Sequence, residues 1–175
     1  VIMASMGSFN AGDMNRLRSE LEKMEENIDE FLESCARELA ARLLAMVIKR
    51  TPVGDYSGDA YECASGKSHK GNKVKGKVGG TLRRGWTNGN RISAKGYADT
   101  VNVNHYGDTY VIDIINPVEY ASYVEYGHRK PNNKGWVRGH FMMTISEQKL
   151  KEAQPRILER RVRRYMEEMN GRLNN

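Results

Sequence analysis

Gly66, Lys67 and Ser68 form the triplet that closes the loops wrapping nucleotide phosphates in backbone N–H groups. Such a loop needs a glycine five residues before Gly66, where Tyr61 stands, and a preceding strand, which the sequence does not offer. The four histidines, His69, His105, His128 and His140, fall in separate predicted loops and strands, with no metal-ligand spacing among themselves or to Cys63. Cys35 sits in a predicted helix and Cys63 in a polar loop, so they suggest neither a disulfide framework nor a Cys-x-x-Cys site and are read as free thiols. Glu119 and Glu125 could serve as an acid/base pair, but a six-residue separation turns them onto different faces of a helix. No Ser, Cys or Lys has a base at a nucleophile's spacing. The chain is therefore expected to be no enzyme, with no catalytic residue, no cofactor and no metal.

Charge is the chemistry that remains. The 175 residues carry a net charge of +6, a pI near 9.3 and a mean hydropathy of -0.70. Residues 13–38 are mainly acidic, with Glu20, Glu22, Glu25, Glu26, Asp29, Glu30 and Glu33, whereas 67–95 hold nine Lys and Arg and no acid. Lys67, Lys70, Lys73, Lys75 and Lys77, followed by Arg83 and Arg84, are candidate contacts to a partner subunit or to DNA phosphates. No aromatics interleave with these lysines and no recognition helix carries them, which excludes sequence-specific readout. The longest apolar stretch, 39–48, is interrupted by Arg42 and too short to cross a bilayer, so no membrane contact is expected. The first ten residues lack the basic flank and apolar run of a secretory signal, and cytosolic synthesis is expected.

The elements that must carry these groups follow from periodicity. Residues 13–50 read as a long helix stopped by Pro52, after a flexible 1–12. Its apolar positions, among them Leu17, Leu21, Met24 and Ile28, alternate spacings of three and four, the seam of a helix pair. Either the chain's own C-terminal helix or a neighbouring subunit could fill that seam, and beyond Cys35 the apolar stripe widens as it does on a core. Residues 56–79, rich in Gly, Ser, Lys and Asn, read as a flexible basic insertion whose replacement by a short linker should leave the fold intact. Residues 81–128 should hold the sheet and a short helix: strands 100–105 and 110–115 pair across Tyr106-Gly107-Asp108, and a helix over 117–126 stops at Gly127. A loop over 130–139 leads to a last helix over 141–170, kinked or split at Pro155. The fold class is α/β in the α+β sense: one domain with a small antiparallel sheet flanked by long N- and C-terminal helices.

Four stretches occur in an order that carries a family resemblance. They are Thr51-Pro52-Val53-Gly54-Asp55, Thr81-Leu82-Arg83-Arg84-Gly85-Trp86, the run from Asn116-Pro117-Val118 through Tyr120-Ala121-Ser122-Tyr123-Val124-Glu125-Tyr126-Gly127 to His128, and Gly139-His140-Phe141-Met142. Together they resemble the tail-completion, or head–tail joining, proteins of long-tailed bacteriophages. The chain departs from that pattern by inserting 56–79 where the family passes almost directly from the Thr-Pro-Val turn to Leu-Arg-Arg. The resemblance implies that the Leu-Arg-Arg-x-Trp piece enters the sheet. It also implies a structural virion protein of the neck, a homo-oligomer forming a hexameric ring between head-closure and tail-terminator proteins, assembled in the host bacterial cytoplasm. Trp86, Tyr120, Tyr123, Tyr126 and Gly127 are then read as the motif core, and three- and four-residue spacing puts Tyr120, Tyr123, Val124 and Gly127 on one face of the short helix, toward the sheet. The alternative is a basic nucleic-acid-associated protein, in which 67–95 and Arg160 to Arg164 hold DNA nonspecifically.

Overall fold

Forty residues without an internal proline build α1, Ala11–Arg50, the first element of the computed structural model. The structure describes residues 11–54, 61–62, 68–69, 79–131 and 134–173, with the backbone alone for most of 11–26 and for the pairs 61–62 and 68–69. At 1.5 Å per residue α1 is about 60 Å long. Lys49 and Arg50 complement the negative end of its dipole, and Pro52 disfavours helical backbone at Thr51. The remaining elements are β1, Tyr61–Glu62; β2, Ser68–His69; α2, Thr81–Gly85; α3, Ala94–Thr100; β3, Asn104–Tyr106; β4, Thr109–Val111; α4, Ala121–Tyr126; β5, Gly127–Arg129; β6, Trp136–Arg138; and α5, Met142–Leu173.

The expected α+β class, with long helices at both ends, holds. The strands are divided among three antiparallel two-stranded ladders, β1–β2, β3–β4 and β5–β6. The central hairpin is shorter than expected and pairs Asn104 with Val111, His105 with Tyr110 and Tyr106 with Thr109. Thr100, expected in the strand, ends α3 instead. Ser93 starts that helix, its hydroxyl accepting the Gly96 N–H at 3.0 Å. Arg37 of α1 closes it, donating to the carbonyls of Asp99 at 3.1 Å and Val101 at 2.7 Å. The Leu-Arg-Arg stretch does not enter a sheet: Thr81–Gly85 is a helical turn, because Leu82 and Gly85 must face inward together, three residues apart. The segment expected as a loop over 130–139 contains β6, paired back to β5. Pro155 lies inside α5 without dividing it. Of the basic insertion, the β1–β2 ladder and Gly79 lie within the described residues.

Leu44 and Val47 of α1, Leu82, Trp86, Ala98 of α3 and Met142 of α5 form one buried cluster. Each large apolar side chain taken fully from water there contributes about 1.5–3 kcal/mol. Ala98 has no exposed surface, so α3 lies close against α1. Further toward its N-terminus, α1 packs on the chain's own α5. Phe31 stacks on Tyr165 with ring centroids 4.3 Å apart, Arg161 donates to the Ser34 hydroxyl, and the same guanidinium lies 3.3 Å from Glu38. Cys35, one turn further along α1, is buried and a free thiol. The part of the apolar seam around Phe31 and Cys35 is thus filled by the C-terminal helix of the same chain.

Candidate assembly surface

Thr51 is fully buried where α1 ends. Its hydroxyl donates to the Val47 carbonyl at 2.7 Å and accepts the Trp86 indole N–H at 2.7 Å. Its carbonyl, left without an intrahelical partner, accepts two hydrogen bonds from the Arg83 guanidinium at 2.7 and 3.2 Å. Trp86, 5% exposed, is therefore a core residue held in orientation by a polar tip. Arg83 is a helix cap. Arg84 lies over the chain that enters α2, donating to the Gly79 carbonyl at 3.3 Å. Asn116 joins the second and third stretches, its amide donating to the Leu82 carbonyl at 2.9 Å while its oxygen accepts the Val118 N–H. Gly85 lies so close beneath Asn116 and Val118 that an added Cβ would overlap both.

The fourth stretch is tied to the third by a carboxylate. Glu125 is 6% exposed, and its two oxygens accept the N–H groups of Met143 and Thr144 at 3.0 and 2.9 Å and the Thr144 hydroxyl at 2.8 Å. The side chain thus satisfies the free N–H groups at the start of α5 and places negative charge at the positive end of its dipole. The carbonyls of Val124 and Glu125 accept the N–H groups of His140 and Phe141. Gly127 ends α4 at φ 86°, where a Cβ would meet the Val137 carbonyl. Glu119 is exposed and far from this role, so the two glutamates do not form an acid/base site.

The expected aromatic core face of α4 does not form. Tyr120, Tyr123 and Tyr126 keep 45%, 58% and 62% of their surface exposed, because Ala121, Val124 and Glu125 take the inward positions of a helix of only six residues. Beside the tyrosines the β5–β6 ladder exposes Trp136, and the turn after α1 exposes Val53. Tyr123 meets His128 edge to face at 5.8 Å. Between these pieces lies a groove of about 550 Å³, its lining including Val53, Leu82, Tyr120, Tyr123, Val137 and Arg138. His128 and His140, distant from each other in sequence, both line it. Isolated exposed apolar residues are ordinary, whereas Tyr120 and Tyr123 stand together on this concavity.

Sequence reasoning did not single out Trp136, Val137 or Arg138. The available signal was the pair Gly127 and Gly139 bracketing a Pro-Asn-Asn-Lys-Gly turn, which can fold β5 onto β6. Ile28 is 43% exposed, whereas the side chains of Leu17, Leu21 and Met24 lie outside the described residues. So do Lys67, Lys70, Lys73, Lys75, Lys77 and Cys63. A different basic feature is visible: Arg156, Arg160, Arg163 and Arg164 occupy one exposed stripe of α5, with Glu159 paired to Arg163 at 3.1 Å. Among the described residues no group of His, Cys, Asp or Glu could hold a metal ion, and no helix is long and apolar enough to cross a membrane.

A family model described as "Bacteriophage HK97-gp10, putative tail-component" matches residues 15–127. The matched span runs from the start of α1 through α4 and stops at Gly127, ahead of the β5–β6 ladder and α5. No curated protein and no solved structure matches the chain.

Proposed function

We propose that this chain, which belongs to the HK97-gp10-like family of phage tail components, completes the tail at its junction with the head, as a ring of identical subunits. Family membership makes it a structural, tail-associated component of the virion. The observation that carries the finer reading is the outward face of the Tyr-Ala-Ser-Tyr-Val-Glu-Tyr segment. Its three tyrosines are exposed and two of them, Tyr120 and Tyr123, line a groove, which suits a surface that is covered on assembly. The buried polar contacts of the other motif residues suit a rigid building block rather than a catalyst, and the reading assigns no enzymatic activity. Closed cyclic symmetry is how identical subunits surround a channel, and a six-membered ring between head-closure and tail-terminator proteins is the arrangement we favour.

The test is a phage carrying a disrupted copy of this gene. Separate full heads and finished tails, joined again on adding the purified protein, are expected. Normal virions without the protein, or a reconstruction with one off-axis copy, would overturn the proposal. A second reading, nonspecific contact with passing DNA, draws on the arginine stripe of α5. It requires affinity for unrelated duplexes that falls steeply as salt rises.

A further inference from the structure

We infer that the ring contact is heterologous: the acidic N-terminal part of α1 from one copy seats in the groove beside Tyr123 of the next. This deepens the ring reading and rests on it. The groove has apolar walls in Val53, Tyr123 and Val137, and Arg138 lies at its edge with His128 and His140. No Asp or Glu is among the lining residues. The concavity therefore suits an apolar ridge flanked by carboxylates.

Residues 20–33 have that composition, with seven carboxylates and a single lysine, Lys23, around Leu21, Met24, Ile28 and Leu32. Ile28 and Leu32 are 43% and 39% exposed although α5 packs nearby. Helix α5 runs antiparallel to α1: Phe31 stacks on Tyr165, and Asn27 shares a hollow with Met169. Continuing that register brings Leu173, the end of α5, opposite Lys23, so the first turns of α1 project past their partner by about 18 Å.

The two complementary surfaces cannot meet within one chain. Ile28 lies near the middle of α1, which ends at Arg50, and Val53 follows that end, which sets the two about 35 Å apart along the helix axis. Each copy consequently offers an acidic ridge on the N-terminal half of α1 and, beyond the helix's C-terminal end, an apolar groove with Arg138 in its lining. Such a head-to-tail contact closes into a ring when its rotation allows, whereas a self-complementary patch would stop at a dimer.

Disulfide trapping in the purified full chain tests the inference, with Cys63→Ser removing the thiol other than Cys35. Met24→Cys combined with Tyr123→Cys should give a ladder of dimers, trimers and larger species under mild oxidation. A mixture of the two single variants should stop at the dimer. Charge steering should make this cross-link at least about tenfold faster than that of Met24→Cys with Lys95→Cys on α3, and high salt should remove the advantage. A rate equal to that control overturns the inference, as does a link between two copies of Met24→Cys alone. A third arm keeps Cys63 with Tyr123→Cys, and a disulfide within one monomer would show that the chain's own insertion fills the groove instead. The trap reads contact between copies in solution, so it can fail while the protein still completes tails, and absence from virions would leave the cross-link unexplained but intact.

Discussion

Replacing Glu125 tests whether the carboxylate holds the two long helices in place or is incidental to the fold. Its oxygens accept two backbone N–H groups and one hydroxyl at the start of α5, at 2.8 to 3.0 Å, in a site 6% exposed. Hydrogen bonds to a charged group contribute about 1.5–3 kcal/mol each, and a buried N–H left without a partner costs about 1–3 kcal/mol. Glu125→Ala leaves both N–H groups orphaned at a poorly hydrated helix start, which puts the expected loss at about 2–5 kcal/mol. Glu125→Gln keeps the shape and one acceptor oxygen but sets an amide donor against a backbone donor and removes the charge–dipole term, for about 2–3 kcal/mol. For a chain of this size each kcal/mol lowers Tm by about 2–4 °C. Urea denaturation followed by circular dichroism gives the free energies, and the order Glu125→Ala below Glu125→Gln below wild type is expected. A change under about 0.5 kcal/mol for Glu125→Ala, the scale of an ordinary surface substitution, would refute the capping argument.

Thr51→Val and Trp86→Phe should each destabilise by about 1–3 kcal/mol, and a double-mutant cycle in denaturant should show coupling of about 0.5–3 kcal/mol if the 2.7 Å indole contact is the cause. Tyr110 donates to Asp29 at 2.6 Å, and that hydrogen bond, then partial desolvation and nearby carboxylates, push its ionisation from 10.0 up to about 12. Because the folded chain favours the protonated phenol, this contribution to stability is whole below pH 10 and is lost as pH climbs through 12. Absorbance at the phenolate band should show one late-titrating tyrosine that Asp29→Asn returns toward 10. Gly127→Ala, at φ 86° against the Val137 carbonyl, should lose at least about 1–3 kcal/mol of thermal stability. Tyr123→Ser, on an exposed ring, should change stability by no more than about 0.5 kcal/mol while lowering incorporation into virions.

The two long helices were legible because each repeats one decision many times: apolar spacing across tens of residues, with Pro52 as a stop. The central hairpin was legible from Tyr106-Gly107-Asp108, although its strands are shorter than the alternation suggested and leave Val101 and Val103 outside the ladder. The short elements were not legible, because partners distant in sequence decide them. Helix α3 contains Gly96 and ends before a β-branched run, and it is helical because Arg37 satisfies its last carbonyls and Ala98 fits against α1. Helix α4 shows the limit of pattern most clearly. Spacing placed Tyr120, Tyr123, Val124 and Gly127 on one face and hydropathy pointed it inward, but the two tyrosines are exposed. Hydropathy favours burying tyrosine and exposing glutamate, yet the start of α5, eighteen residues on, draws Glu125 inward and turns the rings out. The groove was invisible for the same reason, since its walls come from four separate stretches.

The pairing of α1 with α5 also sets a timetable. Arg161 reaches Ser34 across 127 positions of sequence, so the ribosome makes one side of that contact long before the other. At typical bacterial rates of synthesis the interval is roughly 6–25 s. During it Phe31 and its neighbours have no α5 to cover them, and a nascent chain holds a half-solvated helix some 60 Å long near other nascent copies. Early capture by a neighbour's equivalent surface would compete with the native contact, and a chain terminated before α5 should depend on chaperones to stay soluble.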